Sequence, residues 1–110
     1  MGFGSVLRQV KTYDGALITL TEEVIDHIER KHPEMLVGFM KEQLISSIAE
    51  TLEKPNEVYV NARRSKYFLK KLDDLYLNVI VVGDRVKTTY LMGGRTYTRM
   101  GKMKWLHRLY

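Results

Sequence analysis

A chain of 110 residues, 45% of them hydrophobic, can bury one core but not two, so residues 1–110 are read as a single domain. Cysteine is absent, which excludes disulfides, thiol catalysis and thiolate zinc sites. A formal charge of +5 and an isoelectric point near 9.5 favour a polyanionic partner such as nucleic acid. No apolar run is long enough to cross a bilayer, and Met1-Gly2-Phe3-Gly4-Ser5 lacks the charged-then-apolar order of a signal peptide, so a soluble protein with no membrane partner is expected.

The chain opens with two β-prone runs, Val6-Leu7-Arg8-Gln9-Val10-Lys11 and Ala16-Leu17-Ile18-Thr19-Leu20, around Tyr13-Asp14-Gly15. Asp-Gly between such runs predicts a small hairpin. Thr21 ahead of Glu22 and Glu23 is a helix N-cap signature, Val24, Ile25 and Ile28 supply an apolar stripe, and Pro33 ends the helix because the residue before proline is pushed out of helical geometry. A second stripe, Leu36, Met40, Leu44, Ile48 and Leu52 with Ile45 alongside, predicts an amphipathic helix that stops before Lys54-Pro55, with Gly38 weakening its first turn.

Beyond Pro55 the period changes. Four strands are predicted: Glu57-Val58-Tyr59-Val60-Asn61, Tyr67-Phe68-Leu69, the run 75–82, and Val86-Lys87-Thr88-Thr89-Tyr90-Leu91. The short turns at Asp73-Asp74 and Gly83-Asp84-Arg85 favour antiparallel neighbours, and the nearly continuous apolar run 75–82 belongs in mid-sheet with one face against the helices. The expected architecture is therefore α+β: two N-terminal helices packed on a roughly four-stranded antiparallel sheet, with a small N-terminal hairpin. Gly93-Gly94 breaks the pattern, and the tail carries Arg95, Arg99, Lys102, Lys104 and Arg108 among Tyr97, Trp105, His107 and Tyr110 without a clean period. Trp105 and Leu106 can anchor it on the sheet while its cations, Arg95 among them, line a phosphate path.

Chemistry concentrates in His27-Ile28-Glu29-Arg30-Lys31-His32-Pro33-Glu34. A histidine beside Ile28 and Val24 is ordinarily half-buried packing. Arg30 and Lys31, however, stand three and four residues on, the separations that share a helix face. An imidazole that titrates near neutrality beside a fixed cation suits proton transfer at a phosphate. His32, five residues on, lies about 140° around a regular helix from His27. It either swings into the site as the helix unwinds or caps the next segment. His27, His32 and Glu34 are competent zinc ligands, but their spacing is poor and Arg30 and Lys31 repel a cation, so no metal and no cofactor is assigned. Arg63-Arg64-Ser65-Lys66 reads first as a solvated turn, which at a sheet end can bring Arg63 or Lys66 to a phosphate, with Lys70 and Lys71 following. In Thr88-Thr89-Tyr90, alternation sends Thr88 and Tyr90 to one face and Thr89 to the other.

This order of elements resembles the phage- and toxin-associated branch of the barnase, EndoU, colicin-type and RelE nuclease superfamily. The resemblance spans about residues 17–91. It rests on Ile18-Thr19-Leu20-Thr21, the eight residues from His27, Leu52-Glu53-Lys54-Pro55-Asn56-Glu57-Val58, and the strand Val79-Ile80-Val81-Val82 followed by Thr88-Thr89-Tyr90. It implies a metal-independent endoribonuclease with His27 as acid-base residue, Lys31 or Arg30 as electrostatic partner, and a strand threonine at Thr89 or Thr88. His27, Lys31, His32 and Thr89 are thus the expected catalytic set, and Arg30, Arg63, Lys66, Lys70 and Arg95 the expected RNA contacts. RNA is the implied partner, together with an acidic inhibitor or immunity protein, and the protein would act in the cytoplasm or as a delivered phage effector. Two other readings compete: a non-catalytic RNA-binding or regulatory module on the same fold, and a protein-interaction domain in which the charge serves solubility.

Overall fold

The computed structural model describes residues 5–35 and 40–110. Among these, three helices and seven strands form one mixed sheet of order β1-β2-β6-β5-β4-β3-β7. The hairpin is β1 (Val6–Lys11) and β2 (Leu17–Thr21), with Gly15 at φ 89° in the connecting turn. Only glycine takes that backbone region without steric cost. The Thr12 hydroxyl donates to the Asp14 carboxylate and accepts the Ala16 N–H at 3.1 Å, which fastens the turn, and the Tyr13 N–H ties it to the Leu52 carbonyl at 3.1 Å.

Helix α1 is Glu22–Lys31 and α2 is Lys41–Glu53. Thr21 occupies the N-cap of α1 but makes no side-chain cap bond, contrary to expectation. It is still paired in the hairpin opposite Val6, and the Glu22 N–H goes instead to the Ser5 carbonyl at 2.9 Å. Glu22 and Glu23 in the first turn and Arg30 and Lys31 in the last complement the helix dipole. In α2 the stripe Leu44, Ile48 and Leu52 is buried as expected, while Met40 is the N-cap, 70% exposed, with its N–H held by the Gln43 side chain at 3.0 Å. The expected positions Leu36 and Gly38 lie outside the described residues.

Strands β3 (Glu57–Val60), β4 (Lys66–Leu72), β5 (Leu75–Val82) and β6 (Arg85–Met92) make the antiparallel unit expected from sequence, with β5 in the centre of the sheet. Four strands understate the sheet. The hairpin joins the edge of β6 through a short parallel pairing at Thr19 and Arg85, and a two-residue β7 (His107–Arg108) pairs with β3. Two helices understate the helical layer as well, because residues after Gly93 form α3 (Gly94–Gly101).

Register separates the two faces of the sheet. Phe68, Leu77, Val79, Val81 and Val86 turn toward α1 and α2 and pack with Leu20, Ile25, Ile28, Leu44, Ile48 and Leu52 in the main core. Each such buried aliphatic or aromatic side chain contributes about 1.5–3 kcal/mol relative to exposure. On the opposite face, Tyr59, Leu69, Met92 and Met100 form a second cluster under α3, flanked by Tyr67, Tyr76, Tyr90 and Tyr97.

Candidate functional site

Pro33 has the effect read from sequence: α1 stops at Lys31 and His32 caps it at φ −135°, ψ 59°, its N–H donating to the Ile28 carbonyl at 2.7 Å. That departure from helical geometry cancels the angular offset between the histidines. Their ring centroids lie 6.5 Å apart, edge to face. His32 also serves the following segment, since its carbonyl accepts the Met35 N–H at 2.9 Å. Its Nδ1 stands 3.5 Å from the Glu34 carboxylate, an orienting charge partner whenever the ring is protonated, and its ring lies 5.5 Å from that of Tyr90 on β6. The result is a continuous row of His27, His32 and Tyr90 along the rim where the end of α1 meets β6.

Beside His27 lies a cleft of about 390 Å³ between α1 and the start of β6. Arg30, Arg85 and Lys87 supply three cations to its lining, with Glu23 the opposing charge and Thr21 a hydroxyl. Arg30 lines this cleft with His27, whereas Lys31 is exposed and does not. Converging cations without a comparable number of carboxylates suit an anionic ligand. Among the described residues, no group of three His, Cys, Asp or Glu side chains is arranged to hold a metal ion.

The strand threonines are divided by the pleat. Thr89 is 0% exposed on the helix-covered face, and its hydroxyl donates to the Asn78 carbonyl at 2.7 Å. That bond holds β5 to β6 and leaves Thr89 walled into the core. Thr88 shares the opposite face with Tyr90, and its buried Oγ1 has no hydrogen-bond partner among the described residues. Of the two threonines carried by the resemblance, Thr88 is the one with an uncommitted hydroxyl.

The remaining expected RNA contacts are scattered. Lys66 and Lys70 lie on the face covered by the helices. Lys70 is fastened there, its ammonium donating to the Lys54 carbonyl at 2.9 Å with the Glu50 carboxylate 4.0 Å away. Lys66 instead influences the hairpin turn, where the Thr12 hydrogen bond first and its own charge further hold the Asp14 carboxyl below its usual range. Arg63 is exposed on a turn that Asn61 organises by accepting the N–H groups of Arg63 and Ser65, and it shares a hollow with Trp105. Arg95 lies on α3, in a shallow depression with Arg99 and Lys102. Only Arg30 therefore joins His27.

Sequence reasoning passed over Arg85, Lys87 and Tyr90 as site residues. Arg85 and Lys87 had no local signal, because their place beside His27 depends on how α1 lies along β6. Tyr90 had one, its alternation with Thr88. The face under α3 also has a polar knot: the buried Glu57 carboxylate accepts the hydroxyls of Tyr59 and Tyr97, with an Arg108 guanidinium nitrogen 3.9 Å away. The bond to Glu57, then burial, pushes the Tyr97 hydroxyl well above the usual phenol range, and burial followed by the same carboxylate raises Tyr59. Tyr97 also stacks on Tyr76 with centroids 3.9 Å apart. These contacts lock α3 and β7 to the sheet.

Fold and site together define an α+β domain in which His27 lines a basic cleft on the rim of a mixed sheet, with His32 beside it. The sequence matches the model of the family described as phage-Barnase-EndoU-ColicinE5/D-RelE like nuclease 2 over residues 3–102. The chain belongs to this phage-associated nuclease family, and the match takes in the hairpin and α3 as well as the segment that carries the resemblance. No curated protein and no solved structure matches the chain.

Proposed function

We propose that this domain is an endoribonuclease that cleaves RNA without a metal, by transfer of the phosphodiester to the neighbouring ribose 2′-hydroxyl. The observation that carries the reading is the approach of His27 and His32 to 6.5 Å beside a cleft lined by Arg30, Arg85 and Lys87. One imidazole, neutral, takes the 2′-hydroxyl proton as that oxygen bonds to phosphorus. The P–O5′ bond breaks, and the other imidazole, protonated, supplies the proton that the departing 5′-oxygen needs. A 2′,3′-cyclic phosphate and a 5′-hydroxyl result, with the cations stabilising charge on the phosphorane oxygens. His27 is assigned to the helix side of the phosphate and His32, beside Glu34, to the Tyr90 side. Arg30 takes the electrostatic role that the resemblance divides between it and Lys31. The same basic cleft suits an acidic inhibitor protein, which would compete with RNA for it.

The test is incubation with mixed RNA in chelator, comparing the unaltered protein with His27→Ala and analysing the ends. Cyclic phosphate ends that disappear in the variant are expected. Comparable cleavage of DNA in chelator would sink the mechanism, since DNA has no 2′-hydroxyl. Salt-dependent RNA binding without cleavage, unchanged by His27→Ala, would favour the non-catalytic module instead.

A further inference from the structure

The face of the sheet under α3 holds a second hollow, separate from the His27 cleft, of about 230 Å³. Tyr67, Asn78, Tyr90, Arg99 and Trp105 line it. It falls below the roughly 300 Å³ at which sites for whole small-molecule ligands begin, a size suited to one planar ring system. Asn78 is 1% exposed, yet only half of its amide is satisfied. Its Nδ2 donates to the Tyr90 hydroxyl at 3.1 Å and to Met92 Sδ at 3.7 Å, while Oδ1 has no partner among the described residues. A buried carbonyl oxygen without a donor is rare in a folded protein and calls for a ligand or water that supplies one. Trp105 at the mouth is 52% exposed, an unusual position for the chain's one tryptophan. It also borders a neighbouring hollow with Asn61 and Arg63.

We infer that this hollow is a nucleobase subsite, in which a base stacks on Trp105 and gives an N–H to Asn78 Oδ1, adjacent to the phosphate held at His27 and His32. The inference rests on the RNA reading above and adds what that reading lacks, a means of choosing the base. Aromatic faces, one oriented amide and a guanidinium are the chemistry by which single-stranded RNA bases are held. Tyr90 joins the two places: its hydroxyl meets Asn78 in the hollow, and its ring lies 5.5 Å from His32. Because Asn78 Nδ2 is occupied, the amide presents an acceptor only, which every standard base can meet with a ring or exocyclic N–H; the choice among bases therefore rests on stacking area against Trp105 and favours purines over pyrimidines. Arg63 and Arg99, on the two sides of Trp105, then meet the flanking phosphates.

The lone tryptophan makes the hollow its own reporter. Titration of the intact protein with AMP, CMP, GMP and UMP at low salt, with ribose 5-phosphate as the base-free control, should give saturable change in Trp105 fluorescence. UMP and CMP should need higher concentrations than AMP and GMP, and ribose 5-phosphate should leave the signal flat. Equal response to all four bases, a response to ribose 5-phosphate, or no response at millimolar ligand would each overturn the subsite. Where RNA is cut, Trp105→Ala, an exposed position whose fold is checked by circular dichroism, should broaden the base distribution at the cut ends; an unaltered distribution overturns the proposal while leaving the nuclease reading intact. Arg99→Ala gives a second exposed variant, expected to weaken nucleotide binding while retaining the purine-over-pyrimidine order. Failure of the nuclease reading is seen separately, as intact RNA, and leaves the fluorescence titration decisive.

Discussion

The two faces of the sheet are built from different side chains and held by different forces. Toward α1 and α2 the strands present Phe68, Leu77, Val79 and Val81, which need no directional partner and gain stability from burial and close packing alone. Toward α3 they present Tyr67, Tyr76, Tyr90, Asn78 and Glu57, each of which carries a polar atom that must be answered. Glu57 is answered by two tyrosine hydroxyls, whereas among the described residues Asn78 Oδ1 and Thr88 Oγ1 are not. A core with interchangeable apolar contacts tolerates being sealed. A polar face with open valences is where a ligand can substitute for missing partners, so the first face keeps the domain folded and the second is the one on which the proposed base subsite rests.

The sharpest way to separate the two is to strike each with one substitution and read both rate and stability. His27→Ala should lower RNA cleavage by about 10²–10⁴-fold, the range of general acid–base catalysis, with little change in the urea midpoint because the side chain is only half-buried. A loss below tenfold would move catalysis away from the rim of α1. Ile28→Ala, one residue along and fully buried, should do the opposite, costing about 2–5 kcal/mol in urea unfolding through lost burial and the cavity left behind.

Across the sheet, Glu57→Gln should cost about 1–3 kcal/mol, because the carboxylate that satisfies Tyr59 and Tyr97 is replaced by an amide with one acceptor oxygen. Faster hydrogen exchange confined to α3 and β7 would mark the loss, while exchange from α1 and α2 should stay near its original rate. The same contacts set an alkaline limit. Tyr97 is raised above the ordinary phenol value of 10.0, so the folded state holds its proton longer than the unfolded chain. Its stabilisation is complete below pH 10 and is lost as pH rises beyond that value, a decline that thermal melts across pH 9–11 should register. Asp14 on the hairpin has the reverse sign. Its carboxyl is lowered from 3.8, so its contribution is present above that pH and fades as acid titrates the folded group. The smallest effect is electrostatic: Lys87→Ala should leave base preference unchanged and reduce the salt dependence of RNA binding by about 0.7 in the log–log slope, the value for one phosphate contact on a single strand.

Much of the layout was legible because its signals are local. Asp14-Gly15 between β-prone runs marked the hairpin, Pro33 marked the end of α1, and the run from Leu75 was apolar enough to stand in mid-sheet. Helix α3 escaped because eight residues that begin and end in glycine, with Tyr97 and Met100 as the only apolar pair at helical spacing, do not establish a period. Strand β7 is two residues long and exists only because β3 offers an edge. Thr21 misled for a related reason: a good capping residue kept its place in the hairpin, where strand pairing outweighed the cap.

The eight residues from His27 to Glu34 concentrate the contrast between chain and fold. Their order alone determines that two histidines and two cations gather at a helix end, since residue types and a proline require nothing beyond the chain to place them there. Whether the histidines meet depends on the backbone angles of His32 and on Tyr90, contributed by β6. Which cations join His27, and which threonine is walled into the core, follow from the register of β5 with β6 and from the lie of α1 along that edge. Strand pairing and helix docking bring together residues some sixty positions apart, and no local pattern encodes which side of the pleat then faces the ligand.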